Sequence, residues 1–272
     1  MKKQLSIIIV NYNGERFLKD CITSIKNTCH DISYEIIIVD NASQDNSIQL
    51  LETQFSKDIT LIKSKDNLGF AKGNNLGVSK SDGDLILLLN NDTILKHSLQ
   101  PAIDAFKSND VGIVGIKMLG KDEEYRHSVG YFPSASRLIK LSRLYNFANG
   151  FKTGDFQDDT PKLIDWIEGS FLMTTTAIWH TVKGLDEDYF MYVEDIDFCK
   201  KVTTHNFKVL YLPNIEYLHF GGYGASREHM LKEGFKKYIN KHLKTPKKQL
   251  ALLSVGFNFM IKDVKKTFKK TS

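Results

Sequence analysis

A chain of 272 residues with 42% hydrophobic and 25% charged side chains has room for one large α/β domain or two small ones, and its composition excludes a disordered chain, a collagen-like fibre and a disulfide-stapled mini-protein. It has no run of about 18 apolar residues, which argues against a membrane-spanning helix. The net charge of +5 is uneven: residues 241–272 carry nine lysines and one acid, Asp263, so this +8 segment leaves −3 on residues 1–240, a balance that does not suit a nucleic-acid partner.

Residues 5–10 form an apolar, strand-like run. After Met1-Lys2-Lys3 it has the outline of a secretory signal, but it is too short, and Asn11-Tyr12-Asn13-Gly14 stands where a cleavage region belongs. Helical spacing follows over 15–27, then a β-rich run over 34–39 that ends at Asp40-Asn41. Residues 45–55 read as a helix, 59–62 as a strand and 71–80 as a helix after a turn at Gly69. Residues 85–89 form an all-apolar strand ending at Asn90-Asn91-Asp92; a helix over 99–106 and a strand over 111–116 come next.

Strands alternating with helices predict a parallel sheet covered on both faces, and the continuous apolar strands fit burial on both sides. Ligands of such sheets bind beyond the carboxyl ends of the strands. Three of these strands end in polar residues, at Asn11, at Asp40-Asn41 and at Asn90-Asn91-Asp92, which predicts one convergent crevice there.

After Ile116 the rhythm breaks. Residues 120–162 read as a polar insertion beside the site, helical in part over 136–147. Apolar character returns over 166–178, a helix is expected over 192–204, and strands over 207–212 and 215–220. Gly221-Gly222-Tyr223-Gly224-Ala225-Ser226 reads as a mobile loop. In the basic tail, Leu250, Leu253, Phe257, Ile261, Val264 and Phe268 recur at helical spacing among lysines. Such a helix suits an anionic membrane surface; the alternative is packing on the protein's own core or on a second subunit, which leaves a homodimer open. The simplest partition is a catalytic domain over 1–240 and a helical tail over 241–272. Cys21, Cys29 and Cys199 are sparse and lack metal-ligand spacing, as expected of structural thiols in a reducing cytosol.

The chain lacks GxGxxG, GxxxxGK[ST] and GxSxG, the fingerprints of dinucleotide binding, P-loops and hydrolase elbows. It does have acids. Asp92 closes a buried strand, and Glu194, Asp195 and Asp197 cluster at a helix start. An Asp at a strand end with a distant His, such as His219, suits Mg²⁺ or Mn²⁺ held against a diphosphate. Plainer roles exist for each residue. Asp92 would cap a following helix, Glu194 and Asp195 would serve the helix dipole, and His219 and Trp166 would sit in the core.

Six stretches together resemble the family 2 glycosyltransferases with a GT-A fold, closest to a rhamnosyltransferase-like branch. They are Val10-Asn11-Tyr12-Asn13-Gly14, Val39-Asp40-Asn41-Ala42-Ser43-Gln44-Asp45, Asn67-Leu68-Gly69-Phe70-Ala71-Lys72-Gly73-Asn74-Asn75, Leu89-Asn90-Asn91-Asp92-Thr93, Gly184-Leu185-Asp186-Glu187 and Met191-Tyr192-Val193-Glu194-Asp195-Ile196-Asp197. The resemblance covers residues 5 to about 225. It implies an α/β GT-A fold, a mostly parallel sheet flanked by helices.

It also implies an inverting, metal-dependent transfer of a sugar from a nucleotide donor, dTDP-rhamnose or a UDP-sugar. The acceptor would be a saccharide hydroxyl in bacterial surface polysaccharide assembly, and the basic tail favours a lipid-linked one at the cytoplasmic membrane face. Asp40 would accept the imide N–H of uracil or thymine. Asn11, Asn67, Lys72, Asn74 and Asn91 would line the donor, and Trp166, Glu168, Gly169 and Glu194 the sugar and acceptor. Asp92 and His219 would bind Mg²⁺ or Mn²⁺, with Asn90 standing where the family's DxD motif begins with Asp. Asp195 would be the general base. A catalytically silent nucleotide-sugar-binding subunit is the alternative reading.

Overall fold

The computed structural model describes residues 2–145, 150–221 and 227–270, with backbone only over 263–270. The alternating pattern of the sequence becomes β1 (Leu5–Asn11), α1 (Glu15–Thr28), β2 (Tyr34–Asp40), α2 (Ser47–Gln54), β3 (Thr60–Lys63), α3 (Gly69–Val78) and β4 (Leu85–Leu89). These four strands are parallel, with Asn11 of β1 in register with Asp40 of β2. Along β4, Ile86 and Leu88 enter one apolar core while Leu85, Leu87 and Leu89 enter the other. Burial on both faces explains the unbroken run of apolar residues.

The second half is mixed. It comprises β5 (Thr93–Leu95), α4 (Gln100–Asp104), β6 (Val111–Leu119), β7 (Tyr125–Arg126), β8 (Val129–Gly130), α5 (Ala135–Leu138), β9 (Lys162–Ile164), β10 (Trp166–Ile167), β11 (Phe171–Thr175), α6 (Thr176–Thr181), α7 (Glu194–Thr204) and β12 (Lys208–His219). The main sheet runs β3-β2-β1-β4-β11-β6-β12-β5, with β7 on β6 and β9 on β12. β11 is antiparallel to both its neighbours, and β12 is parallel to β6.

The two strands expected over 207–212 and 215–220 are one strand, β12, whose register shifts between Leu212 and Glu216. Pro213 and Asn214 lie within that shift, where a proline costs no ladder hydrogen bond. The 120–162 segment contributes β7, β8 and α5, and β8 pairs with β10 in a two-stranded ribbon. The helix expected over 136–147 is shorter, α5 followed by a 3₁₀ turn over Leu141–Tyr145, and its last two positions lie outside the described residues.

The chain closes with α8 (Arg227–His242) and α9 (Lys247–Lys270). α8 runs across residue 240 and buries Gly234, Phe235, Tyr238 and Ile239 on the body, so the basic tail starts inside a packed helix. Among the described residues, no helix is long and apolar enough to cross a membrane. The three cysteines are free and buried, Cys21 and Cys29 in one core and Cys199 in the other.

Candidate active site

The carboxyl ends of β1, β2 and β4 do converge. The Asn11 amide donates to Asp40 Oδ2 at 2.9 Å and accepts from Asn91 Nδ2 at 2.7 Å, while Ser43 N donates to Asp40 Oδ1 at 2.9 Å. Asn11 and Asp40 are fully buried. Next to them Asn41 Nδ2 donates to Gly69 O, and Asn67 Oδ1 accepts from Gly69 N. Gly69 has φ +76°, and a Cβ there would lie 2.3 Å from Phe190 O, so the turn into α3 requires glycine.

β4 ends at Asn90-Asn91-Asp92 and turns directly into β5. No helix follows Asp92, so it caps none. β5 pairs with the end of β12, setting Thr93 opposite His219 and bringing His219 Nε2 to 3.2 Å from Asp92 Oδ1. Asn90 Nδ2 is 3.2 Å from the same nitrogen, and His219 Nδ1 is 3.3 Å from Met118 Sδ. Burial opposes a charge on His219, but Asp92 outweighs it and holds the imidazole pKa above its ordinary value.

The third wall comes from α7. Tyr192 and Val193 both take left-handed backbone angles, φ 72° and 75°, a costly pair for side chains of this size. That turn presents Glu194 and Asp195 to the cavity. Asp195 Oδ2 accepts from Gly169 N at 3.0 Å, and Oδ1 accepts from Ile196 N at 2.7 Å. Burial, then the charge of Glu168, push the Asp195 carboxyl up to about 7 despite those two donors. Glu194 is buried, its Oε2 finds no hydrogen-bond partner among the described residues, and burial followed by Asp195 raises its pKa well above the usual range. Glu168, raised by burial, is held by its N–H to Ser128 O at the end of the β8–β10 ribbon. The 120–162 segment thus supports Glu168 from behind, and none of its described residues lines the cavity.

One cavity of about 350 Å³ joins these walls. Of the residues expected from sequence, Asn67, Asn91, Asp92, Glu168, Gly169, Glu194, Asp195 and His219 line it. Five expected residues do not. Asp40 and Asn11 lie sealed beneath it, where Asp40 orients Asn11 through the bond above. Asn74 is buried and donates to Phe70 O, and Lys72 is exposed on the first turn of α3. Trp166 is in the core, its indole N–H bonded to Tyr131 O, so it offers no sugar platform. The cavity also includes Tyr12, Asn41, Phe70, Ser170, Met191 and Tyr192, which sequence reasoning did not assign. All but Ser170 lie within the quoted motif stretches, which was the available signal.

A model of the glycosyl transferase family 2 matches residues 6–168. The chain belongs to that family. This family 2 glycosyltransferase is 28% identical over 255 residues to the rhamnosyltransferase WbbL of Escherichia coli (strain K12), spanning 90% of this chain and 92% of the relative. It is 24% identical over 246 residues to the N-acetylglucosaminyl-diphospho-decaprenol L-rhamnosyltransferase of Mycobacterium tuberculosis, with 84% and 80% covered. Among solved structures, it resembles the mannosyltransferase PcManGT of Pyrobaculum calidifontis, in complex with GDP-Man and Mn²⁺, with TM-score 0.62 at 15% identity over 94% of this chain and 70% of that one. TarS of S. aureus in complex with UDP gives TM-score 0.59 at 17% identity, covering 93% and 70%. The fold shared with these enzymes is the α/β GT-A fold.

Asp92 and His219 have the donor set for a hard divalent cation. Two ligands bonded at about 2.1 Å, roughly at right angles, lie about 3 Å apart, close to the 3.2 Å between Asp92 Oδ1 and His219 Nε2. Among the described residues no group of three or more His, Cys, Asp or Glu side chains gathers as a complete metal shell, so diphosphate oxygens and water would fill the remaining positions.

Proposed function

We propose that the protein is an inverting, metal-dependent glycosyltransferase that moves a sugar from a nucleoside-diphosphate donor to a saccharide hydroxyl. Its similarity to two rhamnosyltransferases, one named for a decaprenol-diphosphate-linked acceptor, favours dTDP-rhamnose as donor and a lipid-linked saccharide of bacterial surface polysaccharide as acceptor. A UDP-sugar is the other donor class the reading admits.

One observation carries this reading: Asp195 shares a cavity with the Asp92–His219 pair, and its carboxyl is tuned to about 7. A base with that pKa is part-ionised at neutral pH and still basic enough to take a hydroxyl proton as the transition state forms. In the proposed reaction Asp195 accepts the proton of the acceptor hydroxyl. The hydroxyl oxygen attacks C1 of the donor sugar from the side opposite the diphosphate. The C1–O bond breaks through an oxocarbenium-like transition state, and the nucleoside diphosphate leaves with the bonding pair. A single displacement inverts the anomeric centre.

Gly169 N and Ile196 N fix the base in position. Burial, followed by the charge of Asp195, raises the Glu194 carboxyl pKa and so disfavours a second negative charge beside the attacking oxygen. Asn67, Asn91 and Tyr12 border the space for the nucleotide and its sugar. Asp92 and His219 would hold Mg²⁺ or Mn²⁺, whose charge, when bound, favours release of the diphosphate.

The test is Asp195→Asn, assayed for transfer across a panel of nucleotide sugars and for nucleoside-diphosphate binding by calorimetry. Loss of transfer by at least a hundredfold with binding retained is expected; full activity refutes Asp195 as the base.

A further inference from the structure

The two sides of α9 have different surroundings. One packs on α5 and α8, where Ala251, Val255 and Phe259 are buried and Asn258 Nδ2 donates to Ile139 O at 2.7 Å. The other faces outward with Leu250, Leu253, Phe257 and Met260, which are 55%, 71%, 50% and 54% exposed. These four follow the helical repeat and form an apolar stripe rather than scattered residues. From Leu250 to Met260 the stripe runs about 15 Å at 1.5 Å per residue, and the sequence repeats the same spacing at Ile261, Val264 and Phe268. Packing on the body therefore satisfies a different set of residues from the stripe, which is left without a partner among the described residues. Monomeric soluble proteins seldom leave a continuous apolar strip in water.

The surrounding charge indicates the partner. Residues 241–272 carry nine lysines against Asp263, five of them at 262, 265, 266, 269 and 270. Two copies meeting along this helix would bring two +8 segments together. An anionic surface with an apolar interior satisfies stripe and lysines at once. The body, at −3, adds no attraction of its own, so the tail alone must carry the binding.

We propose that α9 docks the enzyme on an anionic lipid bilayer, lying in the interfacial plane with Leu250, Leu253, Phe257 and Met260 in the acyl boundary and its lysines at the headgroups. The helix lies on the bilayer rather than crossing it, and this docking does not depend on the reaction assigned above.

The probe is the full-length chain sedimented with vesicles of phosphatidylcholine alone or with about one third phosphatidylglycerol. The comparison variant is Leu253→Glu with Phe257→Glu, two exposed positions whose replacement leaves the buried face intact, with circular dichroism confirming the fold. The wild type is expected to bind the anionic vesicles at least tenfold more tightly than the neutral ones, to weaken with added salt, and to lose at least tenfold in the double variant. Equal binding by wild type and variant overturns the proposal, as does no binding to anionic vesicles. A wild type that is dimeric by sedimentation velocity, with a monomeric double variant, makes the stripe a subunit interface and also overturns it. Transfer to a water-soluble acceptor should be unchanged in the double variant; a loss there would concern the reaction and leave the vesicle result to decide the docking.

Discussion

His242 Nε2 of α8 lies 2.6 Å from Asp197 Oδ1 on α7. Lys241 Nζ takes the other oxygen at 2.8 Å and also bonds Asp186 Oδ2 at 2.7 Å. Asp197 is fully buried and lies two residues beyond Asp195. A buried carboxylate without partners is costly, so α8 fixes the first turn of α7, the helix that carries the proposed base Asp195. Under the proposed reaction Asp197 is therefore a positioning residue.

Replacing Lys241 with Met and His242 with Ala together strips both nitrogen partners from Asp197 and leaves it only the Tyr189 hydroxyl, at 3.5 Å, among the described side chains. The expected cost is about 3 kcal/mol of stability, read as a lower denaturation midpoint. At a temperature where the variant remains folded, kcat should fall at least tenfold with the donor KM nearly unchanged, and adding Asp197→Asn should restore part of the stability. An unchanged kcat in the folded variant would show that the clamp only holds α8 down.

The acid limb of the pH–rate profile should report Asp195. The base must be ionised to work, so kcat/KM is expected to rise with pH through about 7. Glu168→Gln removes one of the charges that raise this pKa, so the limb should move to lower pH. Stability runs the other way. A carboxyl near 3.9 unfolded and about 7 folded binds more protons in the native state between those values, so its contribution weakens as pH rises across that window. A profile unmoved by Glu168→Gln would detach Glu168 from the base.

The parallel half of the fold was legible because its strands are buried on both faces and written as unbroken apolar runs. α8 was missed for the opposite reason. Its sequence, Arg227–His242, is mostly polar, and it has only four buried positions, one of them Gly234. With α8 unseen, nothing in the sequence connected Asp197 to Lys241 and His242. β5 has three residues, too few for any periodicity to show, yet it places Asp92 beside His219. Trp166 drew attention as an aromatic near a candidate site, but packing against Gly130, where a Cβ would sit 2.3 Å from the indole, keeps it in the core. The tail showed one stripe in the sequence because Ala251, Ser254 and Asn258, which form much of its packed side, carry little hydrophobic signal.

Gly234 explains why α8 approaches the Tyr192–Val193 turn so closely. A Cβ on Gly234 would lie 2.8 Å from Val193 Cγ2 and 2.9 Å from Tyr192 O. The carbonyl belongs to backbone already held in the left-handed region, so Gly234→Val must displace either α8 or the turn that aims Glu194 and Asp195. The expected result is a loss of about 1–3 kcal/mol in stability with kcat falling more than donor affinity. Wild-type kcat in Gly234→Val would mean that the turn holds its shape without α8.

Asn90 offers a test of the metal pair through gain rather than loss. Its amide nitrogen is 3.2 Å from His219 Nε2, so Asn90→Asp adds a carboxylate beside Asp92 where a neutral amide now stands. Hard cations bind more tightly as carboxylate ligands accumulate. The half-saturating Mn²⁺ concentration for transfer should therefore fall several-fold in Asn90→Asp and rise at least tenfold in Asp92→Ala and in His219→Ala. Chelation with EDTA should abolish wild-type transfer and added Mn²⁺ should restore it. Transfer that persists in EDTA, with the three variants equal to wild type across a Mn²⁺ titration, would mean that the Asp92–His219 pair serves the fold rather than a cation.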